Sequence, residues 1–324
     1  MVSTIRVQDV VIDIKDWPED AEFSAAYPEG ARPKRTVFSP LEPEQDFIQP
    51  DWRHMFKRSD KKYPEQYWAE IIAYQIAVLL EVNAPPCYAA IDSTKNQSGA
   101  LSPWFYSEGK ESFFSAGNFL YKIIPDFDRE KGTQHNIVDA DSFNNRVLGR
   151  NQIYEFWSMM LFDALIGNTD RHQDNWGHIL RAVEVSKSVA RRRGEKFDIK
   201  WRFAPWFDNG TSLAHELLAS KFTKWDQPAL DRYIYRGRHH LRHNRKSSDR
   251  IGHLSGFDLL EKLPEVKSLL LKKLKKFDFS ALEAALDQMV AIQTLEGANL
   301  TPERAGFILK LTKRRAVLLM EKLA

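Results

Sequence analysis

Residues 151–180 read NQIYEFWSMMLFDALIGNTDRHQDNWGHIL. Ile153, Phe156, Trp157, Met160, Leu161, Ala164 and Leu165 recur at three- and four-residue steps and predict an amphipathic helix over 151–166. Gly167-Asn168 is a turn pair that stops it. The chain then enters Asp170-Arg171-His172-Gln173-Asp174-Asn175. Polar residues this dense after a buried helix must be solvated, paired or bound to something, because burying them without partners is costly. A second polar group, Phe207-Asp208-Asn209-Gly210-Thr211, follows two runs (176–185 and 197–204) that predict a β-hairpin with a basic tip at 187–196.

The 324 residues are long enough for two or three lobes, each with its own core. With 43% hydrophobic and 28% charged residues the composition is that of a globular protein rather than a disordered one. A net charge of +3 is too small to argue for nucleic acid, and direct nucleic-acid binding is not expected. Cys87 is the sole cysteine, which excludes an internal disulfide and a cysteine-based zinc site and fits a reducing compartment. Neither a secretory signal nor an apolar run of the ~20 residues a bilayer span needs is visible, so the expectation is a cytoplasmic protein with no membrane association.

Upstream, residues 3–14 alternate loosely and suggest a strand or two, followed by a loop holding Gly30, Arg32, Lys34 and Arg35 between prolines. That loop reads either as a solvated basic turn or as a flap whose glycine lets backbone approach a phosphate. Segments 36–39 and 52–57 predict two further strands. If Phe56 and Met55 take opposite faces, Lys57 shares a face with Met55 and can point into a cleft. Tyr63-Pro64-Glu65 opens a helix to about residue 82, with Glu70 beside its apolar stripes, where a solvent-facing charge is the ordinary expectation. Residues 87–94 and 99–106 predict a hairpin. This order gives an antiparallel sheet carrying one helix, an α+β unit over 1–108. From residue 109 to 324 the pattern is mostly helical, with a basic stretch at 232–250 and three or four amphipathic helices over 257–322.

Five residues apart in a tight loop, Asp170 and Asn175 can converge, the carboxylate orienting an attacking hydroxyl and the amide oxygen binding Mg²⁺. Asp208, leaving a strand before Asn209-Gly210, offers a second ligand to the same metal. Asp-x-x-x-x-Asn followed by a strand-end Asp is similar to the protein-kinase order of catalytic Asp, metal-binding Asn and metal-binding Asp. More closely, Ile166-Gly167-Asn168-x-Asp170-x-His172-x-x-Asn175 with Ala204-Pro205-x-Phe207-Asp208-Asn209-Gly210 resembles the HipA family of bacterial serine/threonine kinases. Gly30-Ala31-Arg32-Pro33-Lys34 resembles that family's phosphate-covering loop, and Phe56-Lys57 its strand lysine. The Asp-Arg-His-x-x-Asn core also resembles phosphoinositide kinases.

The resemblance implies a bilobed, protein-kinase-like α+β fold with ATP and Mg²⁺ as cofactors. Asp170 would be the catalytic base, with His172 against the phosphates or the base, and Asn175 and Asp208 the metal ligands. Lys57, positioned by Glu70, would bind the α/β-phosphates under Gly30, Arg32 and Lys34. Phe105 would face the adenine from the hinge, and Phe207 would lie beside the nucleotide. The family implies phosphorylation of a protein substrate, often by the toxin of a toxin–antitoxin pair acting on translation factors such as aminoacyl-tRNA synthetases, and hence a candidate antitoxin partner. The chain starts too close to the phosphate loop for the extra N-terminal subdomain of longer members, and so resembles the short, single-module ones. Its loop also has Ala26-Tyr27-Pro28-Glu29 where family loops often carry autophosphorylated serines. A small-molecule or phosphoinositide-type kinase and a pseudokinase binding module stay open as alternatives.

Overall fold

In the computed structural model, residues 7–20, 33–147, 149–184, 196–295 and 297–324 are described. β1 (Ile12–Asp13), β2 (Lys34–Phe38), β3 (Arg53–Arg58), β4 (Tyr88–Asp92) and β5 (Gln97–Pro103) form one five-stranded sheet in the order β1-β4-β5-β3-β2. Alternation along β3 decides which side faces what. Phe56 is fully buried with Leu101, its register partner on β5, together with Ile12, Ile14 and Val37. Met55 and Lys57 take the opposite face, as period-two geometry requires. That face carries Ala89 and Ala100, small residues that let helix α1 (Tyr67–Leu79) lie close to the sheet through Ile72 and Ile76.

One expectation is corrected here. The sheet is not wholly antiparallel, because β1 pairs with β4 in parallel, Ile12 opposite Ala90. Two residues of strand reach this register by running in from outside the hairpin, with no tight turn to force an antiparallel return. Helix α1 also begins two residues later than Glu65, after turns at 64–66.

Past the hairpin a strand appears that periodicity did not predict. β6 (Glu111–Ser115) pairs antiparallel with β7 (Gly177–Glu184), which pairs with β8 (Phe197–Phe203), giving a three-stranded sheet. The expected β7–β8 hairpin is present; most of its basic tip lies in 185–195, outside the described residues. Helices α2 (Ala116–Ile123) and α3 (Ile137–Ser142) follow, then α4 (Arg150–Ile166). α4 is buried nearly all round, with Phe156, Met159, Met160, Leu161 and Phe162 inaccessible, so it is a core helix rather than a surface one. Gly167, at φ +70°, ends it in the left-handed conformation typical of a helix C′ residue.

The stretch 232–250 is not one helix face. It divides into α5 (Gln227–Arg236) and the ribbon of β9 (Arg238–Arg242) with β10 (Arg250–Gly252), and its His239 and His240 are buried while most of its arginines are exposed. α6 (Pro264–Lys276), α7 (Phe279–Ala291) and α8 (Pro302–Leu323) complete the chain, Thr301 capping α8 by accepting from the Arg304 N–H. α1, α2, α4 and α6–α8 share one apolar core. Tyr67 and Trp68 at the start of α1 both donate to the Ala298 carbonyl, at 2.7 and 2.8 Å, tying that helix to the segment before α8. Among the described residues no helix is long and apolar enough to cross a membrane.

Candidate active site

The polar residues after α4 are organised by a charge buried behind them. Asp163, a carboxylate inside the apolar run of α4, and Arg171 are both inaccessible to solvent and form a fork, with contacts from Nη2 to Oδ1 at 2.8 Å and from Nε to Oδ2 at 3.1 Å. Arg171 uses its remaining donors on the Asn175 carbonyl (3.1 Å), the Phe207 carbonyl and Asn209 Oδ1 (2.6 Å). One guanidinium thus joins α4, the 168–175 loop and the 206–211 loop, and its fixed planar geometry is what a lysine lacks. Burial raises the Asp163 pKa, with Arg171 and Asn168 opposing that rise.

Asn168 continues the framework. Its Oδ1 accepts from the Asp170 N–H (3.0 Å) and the Thr211 hydroxyl (3.0 Å), and its carbonyl accepts from His253 Nε2 (2.9 Å). Burial pushes the His253 pKa down to about 3, so this donor is a neutral imidazole. Asn175 Nδ2 donates to the Asp170 carbonyl (2.9 Å), which fixes the amide and leaves Oδ1 as the atom with lone pairs to offer. His172 Nδ1 accepts from the Asp174 N–H (3.2 Å). Its ring lies 5.9 Å from His240.

Across from this loop, Lys57 Nζ stands 3.3 Å from Glu70 Oε1 and 2.9 Å from Asp208 Oδ1. Glu70 is buried, which corrects the expectation of a solvent-facing charge. The carboxylate is retained inside because Oε1 meets Lys57 and Oε2 accepts from the Asn209 N–H at 2.8 Å. Asp208 has φ +61°, a left-handed conformation that Asp tolerates better than most residues, and this turns its carboxylate toward Lys57.

These groups line a cavity of about 330 Å³, within the usual range for ligand pockets. One end is aromatic: Phe105 stacks on Phe207 with centroids 4.9 Å apart, and Phe113 meets both edge-on at 5.5 and 5.6 Å. The other end holds Lys34, Lys57, Glu70, Asn175 and Asp208. Lys34 and Lys57 are register partners on β2 and β3, so both side chains leave the same face of the sheet, toward this end of the cavity. Among the described residues no three His, Cys, Asp or Glu could by themselves hold a metal. The donor set present, one amide oxygen and one carboxylate, suits a hard cation that takes its other ligands from phosphate and water.

The structure therefore brings together Lys34, Lys57, Glu70, Phe105, Asn175, Phe207 and Asp208. Asp170 and His172 are not in the cavity wall; they adjoin it through Asn175, with the His172 N–H donating to the Asp170 carbonyl and its ring toward His240. Burial raises the Asp170 pKa; His172 opposes it, the Asp208 carboxylate adds to it, and Arg250 and Arg171 lower it. Gly30 and Arg32 fall in 21–32, outside the described residues. Phe113, Asp174 and the Asp163–Arg171 fork went unread in the sequence, although a lone carboxylate within MMLFDALI was a visible signal for the last.

No family model matches this chain, and neither does any curated protein. Among solved structures it matches the Helicobacter pylori proinflammatory kinase CtkA with a TM-score of 0.69 at 15% identity, over 97% of this chain and 96% of that one. It also matches, with a TM-score of 0.45 at 13% identity, a chain of the Shewanella oneidensis MR-1 toxin–antitoxin complex of HipA, HipB and operator DNA, over 92% of this chain and 64% of that one. At these identities the likeness carries the fold alone, and the first comparison carries it. The chain has the fold of that Helicobacter pylori kinase.

Proposed function

We propose that this protein is an ATP- and Mg²⁺-dependent serine/threonine protein kinase of HipA type. The observation that carries the reading is Lys57, held between Glu70 and Asp208 at 3.3 and 2.9 Å on the wall of a cavity whose far end is aromatic. An ATP molecule needs both ends: apolar rings for the purine and fixed cations for the phosphates. In this reading the sheet unit of 1–108 is one lobe and 109–324 the other, with the cavity between them. The purine lies beside Phe105, Phe207 and Phe113, and Lys34 and Lys57 meet the phosphates, while a phosphate role for Gly30 and Arg32 rests on the family resemblance alone.

Asn175 Oδ1 and the Asp208 carboxylate would hold Mg²⁺, which when bound would neutralise phosphate charge. Asp170 orients the acceptor hydroxyl and takes its proton as that oxygen bonds to the γ-phosphorus and the bond to the β–γ bridging oxygen breaks, releasing ADP. Desolvation of Asp170 raises its basicity toward this task. His172, whose Nδ1 accepts from the Asp174 N–H, stands beside the base. The acceptor is a protein, for which the family resemblance suggests a translation factor such as an aminoacyl-tRNA synthetase, with an antitoxin as restraint.

The test is incubation of wild type and Asp208→Ala with labelled ATP, Mg²⁺ and a cell lysate. Phosphoproteins labelled by wild type alone, and lost on chelation of Mg²⁺, are expected. Identical labelling patterns for the two proteins would remove the protein-kinase reading, and labelling confined to small molecules or lipids would replace it with the alternative class.

A further inference from the structure

Asp174 lies in the wall of the cavity, between the aromatic end and Asn175, and the proposed phosphoryl transfer gives it no task. It is nevertheless a built group. Arg129 grips its carboxylate as a fork, with Nη1 2.6 Å from Oδ2 and Nη2 2.5 Å from Oδ1, and the Ser115 hydroxyl donates to Oδ1 at 2.9 Å. Arg129 is itself fixed, its Nη2 reaching Asn118 Oδ1 at 3.2 Å and its carbonyl accepting from Gln173 Nε2 at 3.0 Å. Gly117 leaves the room: a Cβ there would stand 2.1 Å from Arg129 Nη1. A surface carboxylate needs none of this.

Position gives the carboxylate its partner. Phe113 and Ser115 are two apart on β6 and share a face. Along that face the order is aromatic ring, then the Ser115–Asp174 contact, and the next residue after Asp174 is the metal-ligand candidate Asn175. A nucleotide with its base at the rings and its phosphates at Asn175 and Lys57 must set its sugar against Asp174. An ionised carboxylate offers about four lone-pair sites. Arg129 and Ser115 occupy three, and the fourth suits a hydroxyl donor.

We propose that Asp174, oriented by Arg129 and Ser115, accepts a hydrogen bond from a ribose hydroxyl and makes the site selective for ribonucleotides over deoxyribonucleotides. This rests on the nucleotide reading of the cavity. It assigns Asp174 the role of a specificity residue and Arg129 that of a positioning residue. The fork also cancels the charge that would otherwise repel the phosphates, so selectivity is gained without a net negative wall.

The experiment measures binding, not turnover: ATP, 2′-deoxy-ATP and 3′-deoxy-ATP titrated with Mg²⁺ into wild type, Asp174→Ala and the near-isosteric Asp174→Asn, whose folding is checked by thermal melts. Wild type is expected to bind at least one deoxy analogue about tenfold more weakly than ATP, the size of one hydrogen bond to a charged acceptor. In Asp174→Ala the difference falls to within about twofold, and in Asp174→Asn it shrinks by at least about threefold. A purely structural role for Asp174 would weaken all three nucleotides equally, and that result overturns the inference, as does a wild type that treats the three alike. If wild type binds ATP but fails these comparisons, the sugar assignment alone is lost; if it binds none of the three, the nucleotide reading goes with it.

Discussion

Replacing Arg171 with Met removes a guanidinium and leaves the Asp163 carboxylate buried at 0% exposure with only Asn168 Nδ2, 3.2 Å away, still donating to it. Breaking a buried pair from one side costs about 3–5 kcal/mol, out of a total stability of about 5–15 kcal/mol. At about 1.5 °C per kcal/mol for a protein of 324 residues, the melting temperature of Arg171→Met should fall by about 4–8 °C. The matched double variant Asp163→Asn/Arg171→Met removes the stranded charge while keeping an oxygen for Asn168, and replacing both partners of a buried pair is often close to neutral. It should recover more than half of the loss, giving a coupling energy of about 2 kcal/mol or more. Differential scanning calorimetry on wild type, Arg171→Met, Asp163→Asn and the double variant closes the cycle. The double variant should nevertheless bind Mg²⁺–nucleotide less well than wild type, since the Asn175 and Phe207 carbonyls and Asn209 Oδ1 lose their shared donor. A single variant whose melt shifts by less than about 3 °C, or strictly additive losses, would refute the idea that this fork frames the site.

Three further outcomes follow from the same geometry. Glu70→Gln keeps an acceptor for the Asn209 N–H but loses its charge beside Lys57, and should weaken nucleotide binding about fivefold by calorimetric titration, whereas Lys57→Met should weaken it at least tenfold. Because burial raises the Asp170 pKa and a base must be deprotonated to act, single-turnover rates should climb with pH along a limb above the ordinary carboxylate range. Arg250 lowers that pKa, so Arg250→Ala should move the limb to higher pH, and a limb that stays put or moves down contradicts the assignment of base. Gly167→Ala places a side chain at φ +70° with its Cβ 2.0 Å from Arg315 Nη2, and should destabilise the protein by more than about 1 kcal/mol, read as a lowered melt.

Much of the site was legible because its residues stand at fixed offsets. Asp170 and Asn175 stand five apart in one loop, Asp208 follows the predicted hairpin, and motif order with the family resemblance brought the three together; the predicted helix before them is α4 within one residue. Lys57 was readable through alternation, since Phe56 buries on one face and Met55 and Lys57 share the other. Partners from distant segments were not legible from periodicity, and the Lys57–Glu70 pairing came only from the family resemblance. Glu70 looks like a surface residue until Lys57 and the Asn209 N–H arrive from elsewhere in the chain to satisfy both its oxygens. β6 escaped because Glu-Ser-Phe-Phe-Ser does not alternate, and its pairing is supplied by β7, more than sixty residues on. The parallel β1–β4 pair escaped for the same reason: two residues carry no period.

The two halves of the site differ in how they are held, and the difference bears on what can move. The loops bearing Asp170, Asn175 and Asp208 are joined from behind by Arg171 and Asn168, charges and amides wholly removed from solvent, where an opened contact has no water to compensate it. Lys57 and Glu70 come from β3 and α1, and they reach the 206–211 loop by contacts nearer solvent: Lys57 to Asp208, the Asn209 N–H to Glu70, and Gln66 Nε2 to the Gly210 carbonyl at 3.1 Å. Of these, the Lys57–Asp208 contact is the one that phosphate and a cation would divide, each ion taking its own share of the new ligand. In the proposed reading, the geometry separates a frame fixed by the buried fork from a lysine wall that adjusts on binding. Nucleotide should accordingly slow amide hydrogen exchange in β2, β3 and the start of α1 more than in residues 163–175, whose protection is already set by the buried fork.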